Sequence, residues 1–373
     1  MWHFQEIRWR LRISGSHDTK MPDLEHMGTV NIISFTERGD KLNTTISHIA
    51  GTDGWGYTVR NRFSFDKETA LSDWTRKAFQ SELIVFIGAA GIAVRAVAPC
   101  VAAKDKDPAV IVIDELGKFV IPVLSGHIGG GNKYAREIAD IIGGEAVITT
   151  ATDINGVFAA DTWAVEKGYR VADTGKIKLI SSALLRGERI GFISDIHRSS
   201  EEAFSGDIPE NVVPGDRTLD KGILLSPFIR EEYPVTLNLI PKCLCLGIGC
   251  RKNTDPAVLK EFAEEFFRDN NISFSAVSDI ATIDIKRGED AIERFALEND
   301  LPLSFYSAGE LMALPEEYAF ERSDFAYEHT GCDNVCERSA VKRALEIMPG
   351  GSVKILVKKT KGEGITMALS LYL

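Results

Sequence analysis

The sequence has no apolar run long enough to cross a membrane as a helix: its longest uncharged stretches, such as Leu83 to Val94, stop short of the ~20 residues a spanning helix needs. Basic charge is in short supply. With 43 lysines and arginines against 54 aspartates and glutamates, the net charge of −11 argues against a general affinity for nucleic acid or anionic lipid, because counterion release requires a basic surface. Cysteine is sparse, six in 373 residues, and no secretory h-region is present, so the six are expected to be thiols in a reducing cytoplasm. Also missing are a P-loop, a serine-nucleophile elbow, an H-E-x-x-H helix and the C-x₂-C spacing of a zinc knuckle, so no protein-held metal is expected.

What is present is an ordinary globular composition, 44% hydrophobic and 26% charged, in a chain long enough for two to three domains. Residues 1–28 show no sustained period and read as an extension or an expression-derived segment ahead of a start at Met27. Beyond them, β-prone runs alternate with helical spacing. Val30 to Phe35, Leu83 to Ile87, Ala109 to Ile113, Lys118 to Leu124 and Ala146 to Ala151 are expected as strands, and Lys41 to Ala50 and Lys133 to Ile142 as helices. This pattern predicts an α/β fold: two α/β domains with largely parallel sheets, over residues 29–168 and 241–373, joined by a less regular middle region over 169–240.

The densest chemical signal is Ser125-Gly126-His127-Ile128-Gly129-Gly130-Gly131-Asn132, set between a strand and a helix. Glycines let the backbone approach a ligand, and N–H groups at a helix start favour anionic oxygen. Gly88-Ala89-Ala90-Gly91, followed by Arg95, forms a second such turn. In a parallel sheet both would open at carboxyl ends of strands and imply a cleft. The spacing of GAAGIA is not G-x-G-x-x-G, which argues against a dinucleotide. Thr150 and Asp153 are expected just past a strand end, where a carboxylate can orient His127 or cap a helix. Lys104, Asp105, Lys106 and Glu115 belong to charge clusters that read as solvated loops or as partners for substrate carboxylates. In the last domain, Gly249 and Arg251 follow a strand and Lys286 follows another, each a weaker signal for anion contact.

Taken in order, GAAGIAVRAVAP, DKDPAVIVIDELGKFVIPVLSGHIGGGN and AVITTATDINGVFAAD, then CLGIGCRKNT, IATIDIKRGE, LPLSFYSAGEL and KKTKGEGITMALS, resemble the cobalamin biosynthesis protein G family over roughly residues 29 to 373. The Gly331–Glu337 stretch departs from that pattern at Cys332 and Cys336. The resemblance implies cobalt-precorrin-5A hydrolase activity in anaerobic vitamin B12 synthesis, with cobalt carried by the corrinoid substrate and no separate cofactor. It implies a cytoplasmic location, other enzymes of that pathway as partners, and neither nucleic acid nor membrane. On that reading His127 is the base and Asp153 orients it. The N–H groups of Gly129 to Asn132 hold the oxyanion, Asp105 or Glu115 shares the proton work, and Arg95, Lys104, Arg251 and Lys286 clamp acidic arms, with Gly88, Gly91, Ser125, Gly129, Gly130, Thr150 and Gly249 lining the site. A noncatalytic corrinoid carrier is the alternative.

Overall fold

Leu83–Ile87 (LIVFI) and Ala109–Ile113 (AVIVI) are buried along their whole length, as strands covered on both faces must be. They are β3 and β4 of a six-stranded sheet in a computed structural model that describes residues 28–52, 57–103, 106–127 and 129–373. The expected extension up to Met27, and the candidates Lys104 and Asp105, lie outside the described residues. The sheet is completed by β1 (Thr29–Ser34), β2 (Thr58–Arg62), β5 (Phe119–Leu124) and β6 (Glu145–Ala146), in the order β2-β1-β3-β4-β5-β6. Its helices are α1 (Glu37–Thr52), α2 (Leu71–Ala78), α3 (Ala90–Val97) and α4 (Gly131–Ile142).

All neighbours in this sheet are parallel except β4 and β5. The link between those two is a tight reversal: Gly117, at φ +69, donates to the Asp114 carbonyl at 2.9 Å, while the Asp114 carboxylate accepts from the amides of Leu116 and Phe119. The reversal has a consequence for the two glycine turns. Leu124, the last residue of β5, pairs with Val110 near the start of β4, whereas Gly88 follows the carboxyl end of β3. The chain therefore enters the Ser125 loop from the edge opposite the one that carries Gly88 and Glu115, and the expectation of two turns on one carboxyl edge fails at β5.

Two further departures concern the region after the first sheet. Ala146 to Ala151 is not a strand beyond Ala146; Ala151–Ile154 is instead a short helix, α5, with Thr150 at its N-cap. The middle region is also more regular than expected, for it carries its own five-stranded sheet, β7 (Arg170–Val171), β8 (Ile190–Ser194), β9 (Val212–Pro214), β10 (Lys221–Leu225) and β11 (Val235–Ile240), in the order β7-β11-β10-β8-β9. Helices α6 (Ala160–Glu166) and α7 (Gly175–Leu185) cover it. Ala160 and Ala164 share a core with Ile180, Phe192 and Leu237, so α6 packs with the second sheet although it precedes residue 169. Trp163 stacks on Phe204 in the same core.

The third sheet runs β14-β13-β12-β16-β15, from β12 (Leu244–Cys250), β13 (Val277–Ile283), β14 (Leu303–Tyr306), β15 (Val353–Gly362) and β16 (Ile365–Tyr372). Helix α8 (Pro256–Asp269) starts at a capped turn, Asp255 accepting from the Ala257 amide and Pro256 standing in the first turn. With α9 (Asp290–Glu298) it buries the face carrying Leu244, Leu246 and Ile248, as the two-residue period of a strand requires. The helices α10 (Ala308–Met312), α11 (Asp324–Thr330) and α12 (Val335–Ile347) follow β14. The other face of β12 receives α12 so closely that a Cβ at Gly247 would collide with the Cys336 carbonyl oxygen. Gly247→Ala should therefore destabilise this body by about 1–3 kcal/mol through overpacking against backbone that cannot yield, measured as a lower urea midpoint for the loss of amide protection in β12.

Contacts divide the chain into two units. One holds the first sheet. The other contains the loop around His127 and everything from Val147 onward. All six cysteines are free, and among the described residues no helix is long and apolar enough to cross a membrane.

Candidate active site

The loop after β5 is wound tightly on itself. Ser125 sits at φ 52, a left-handed conformation that costs a non-glycine residue energy and is held by its surroundings. Gly130 donates to the His127 carbonyl at 2.8 Å, Gly131 to Ser125 at 3.0 Å and Asn132 to Gly126 at 2.8 Å. Three of the four amides expected to hold an oxyanion are thus already engaged, and that role is withdrawn for Gly130, Gly131 and Asn132. The glycines serve packing instead. A Cβ at Gly126 would stand 2.8 Å from Asn132 Oδ1, and one at Gly129 would strike the Ser125 side chain.

What the loop presents is His127. Its Nε2 lies 3.0 Å from Asp153 Oδ2, and its Nδ1 lies 3.1 and 3.2 Å from the two oxygens of Asp161. Thr152 Oγ1 approaches Nε2 at 3.3 Å. Asn132 Nδ2 donates to Asp153 Oδ2 at 3.0 Å and to Thr150 Oγ1 at 2.9 Å, which ties the end of the loop to α5. A neutral imidazole can donate from only one nitrogen, so carboxylates at both ends favour the doubly protonated ring. Hydrogen bonding to Asp161, above all, and the charges of Asp161 and Asp153 raise the His127 pKa against the opposing effect of burial. The geometry thus favours the protonated ring, which can give a proton up and, once neutral, take one as the base expected from the sequence.

The sign of the pH dependence follows. A raised folded-state pKa means that the charged ring stabilises the fold fully below the ordinary imidazole value of 6.5 and that this contribution is lost as pH climbs through the raised value. Stability to urea should fall as pH rises above about 6.5, and Asp161→Asn should flatten that decline; the His127 ring-proton NMR titration reads the same shift directly.

Asp161 is the functional candidate that the sequence reading missed. It is buried in the first turn of α6, where the helix start favours a carboxylate. The stretch AVITTATDINGVFAAD ends on it, and a carboxylate opening a helix is the signal that could have found it. The second unit thus gathers Ser125, His127, Gly129, Gly130, Asn132, Thr150 and Asp153 with Asp161.

The remaining candidates fall elsewhere. Gly88, Gly91, Arg95 and Glu115 belong to the first unit. A Cβ at Gly88 would press on Phe35 at 2.9 Å, Arg95 is exposed with Nη1 3.4 Å from the Gly91 carbonyl, and Glu115 is exposed and accepts from Thr36 Oγ1 at 3.0 Å. Gly249 is not in a turn but inside β12, where a Cβ would stand 2.6 Å from Thr366 Oγ1. Arg251 is exposed, its amide donating to the Gly364 carbonyl at 3.0 Å. Lys286 is largely buried with its ammonium 3.9 Å from Glu289, which takes up its charge.

Comparison with known proteins gives three matches in chain order. The family described as cobalamin synthesis G N-terminal matches residues 73–153, the cobalamin biosynthesis central region 158–241, and the cobalamin synthesis G C-terminus 244–370. The chain is 34% identical over 274 residues to the cobalt-precorrin-5A hydrolase of Salmonella typhimurium, spanning 71% of this chain and 77% of that protein. It is 28% identical over 301 residues to the cobalt-precorrin-5A hydrolase of Priestia megaterium, 77% of this chain and 78% of that one. A relative in Methanocaldococcus jannaschii is 28% identical over 347 residues, 91% of this chain and 98% of its own length.

Proposed function

Because the chain belongs to the cobalamin synthesis G family, we propose that it hydrolyses cobalt-precorrin-5A, opening the δ-lactone of the ring-contracted corrinoid and releasing the former bridging two-carbon unit as acetaldehyde to leave cobalt-precorrin-5B. The observation that carries the chemistry is His127 held between Asp153 and Asp161. Cobalt belongs to the substrate, and the steps call on no separate organic cofactor.

Lactone opening needs a base for water and a proton for the departing alkoxide. Asp153, the more open of the two carboxylates, takes the proton from the attacking water. As the C–O bond breaks, its electron pair goes to the alkoxide oxygen, which receives the proton of the His127 imidazolium. His127, now neutral, accepts the proton of the new hydroxyl in the second step; the C–C bond breaks, its pair passes into the conjugated macrocycle, and acetaldehyde leaves. Asp161 stays on Nδ1 throughout, the hydroxyl proton restores the imidazolium, and the proton that Asp153 took from water is released to solvent.

The test is to incubate the purified chain with cobalt-precorrin-5A and trap acetaldehyde. Stoichiometric aldehyde is expected. Tight corrinoid binding with neither lactone loss nor aldehyde would make the protein a carrier.

A further inference from the structure

Away from His127, Lys167, Tyr169, His197, Lys242, Met348 and Tyr372 line a cavity of about 340 Å³. Lys167 caps the end of α6, His197 follows β8 and Lys242 follows β11. Both strands run parallel to β10, so the cavity opens at the carboxyl edge of the second sheet, where α/β folds place ligands. In a chain of net charge −11, no ion pair among the described residues engages either ammonium. His197 adds a directed donor. Ser194 Oγ lies 2.7 Å from His197 Nδ1 and accepts from the Ile196 amide at 3.4 Å. With the Ser194 hydroxyl donating to Nδ1, the ring N–H stands on Nε2 and is open to a ligand. Burial, with Lys167 nearby, lowers the His197 pKa, so the ring meets a ligand in that neutral form. Met348 and Tyr372 also line the cavity, the Tyr372 hydroxyl being engaged with the Lys242 carbonyl at 3.0 Å.

We propose that this cavity binds an organic carboxylate, its oxygens held by Lys167, Lys242 and His197 and its short apolar stem laid against Met348 and Tyr372. For the source of that carboxylate the inference rests on the function proposed above. Helix α6 carries Asp161 in its first turn and Lys167 at its end, roughly 9 Å apart along the axis at 1.5 Å per residue. A corrinoid with its peripheral arms is wider than that, so an acetate or propionate arm reaches the cavity while the lactone meets His127.

Calorimetric titration of the full chain separates the cases. Cobyrinic acid, whose arms are free carboxylates, is compared with cobinamide, whose arms are amidated, and with glutarate as a free dicarboxylate. The Lys167→Gln/Lys242→Gln variant changes only exposed side chains and should weaken cobyrinic acid by roughly tenfold or more while leaving cobinamide unchanged. If glutarate binding alone is lost, the carboxylate site stands and its ligand is a free small acid. If neither acid loses affinity, the proposal is overturned. The readout is binding, so a chain that holds cobyrinic acid through the lysines yet releases no acetaldehyde would remove the hydrolase and keep the site.

Discussion

His127→Ala is expected to slow the release of acetaldehyde from cobalt-precorrin-5A by roughly 10²-fold or more, with substrate affinity near that of the unaltered chain. The imidazolium supplies a proton to an alkoxide and retrieves one from the hydroxyl that results, and both events belong to bond breaking rather than to binding. Alanine removes both and leaves Asp153 and Asp161 facing each other without the cation between them. Asp161→Asn is the finer probe. It keeps the shape around Nδ1 and removes the charge that does most to raise the His127 pKa, so the alkaline limb of the rate profile should move to lower pH while KM stays put. Full turnover by His127→Ala would move the proton work to Asp153.

The largest stability effect is expected from Asp333→Ala. Arg338 is fully buried, its Nε 2.6 Å from Asp333 Oδ1 and its Nη2 3.1 Å from Oδ2. Nη1 donates to the Leu311 carbonyl at 3.2 Å, and the guanidinium carbon stands 4.3 Å over the Phe320 ring. Removing the carboxylate strands a charge in the interior, which costs about 3–5 kcal/mol. Replacing the pair together, Asp333→Leu with Arg338→Met, should cost much less, because the penalty belongs to the orphaned charge and not to the absence of a salt bridge. Amide exchange across α12 and β12 measures both; an equal loss in the single and double variants would show that the packing, and not the charge, carries the effect.

This network also gives Cys332 and Cys336 a structural setting. Both are wholly buried at the start of α12, Cys336 Sγ donating to Asn334 Oδ1 at 3.4 Å, while His329 is exposed and its Nδ1 lies 2.8 Å from the Phe325 carbonyl.

Where local preference and burial agree, the sequence is readable. LIVFI and AVIVI are buried strands, and Asp255-Pro256 starts a helix because a cap and a first-turn proline work through neighbouring atoms alone. Readability fails where a distant partner decides. Thr149 and Thr150 favour a strand, yet the Thr150 hydroxyl is taken by Asn132 and the chain turns into α5. Thr236 and Asn238 interrupt the apolar run of β11 although both are buried; Thr236 satisfies itself by donating to the Tyr233 carbonyl, so the second sheet looks like a linker in one dimension. His127 stands out from its glycines, but Asp161 comes from 34 residues away, and no local spacing announces that contact. The glycines themselves suggest an anion cradle, and only the carbonyls opposite their amides show that the cradle is occupied.

The position of β12 bears on how the protein is made. It is the middle strand of its sheet, and one of its edges pairs with β16, Leu244 opposite Leu371. During synthesis that edge stays open until the far partner leaves the ribosome, and long-range pairing of this kind is slow to form. A nascent chain halted before β16 would expose an apolar strand to others like it, so polysome-bound intermediates of this protein should be clients for chaperones through their β12 segment.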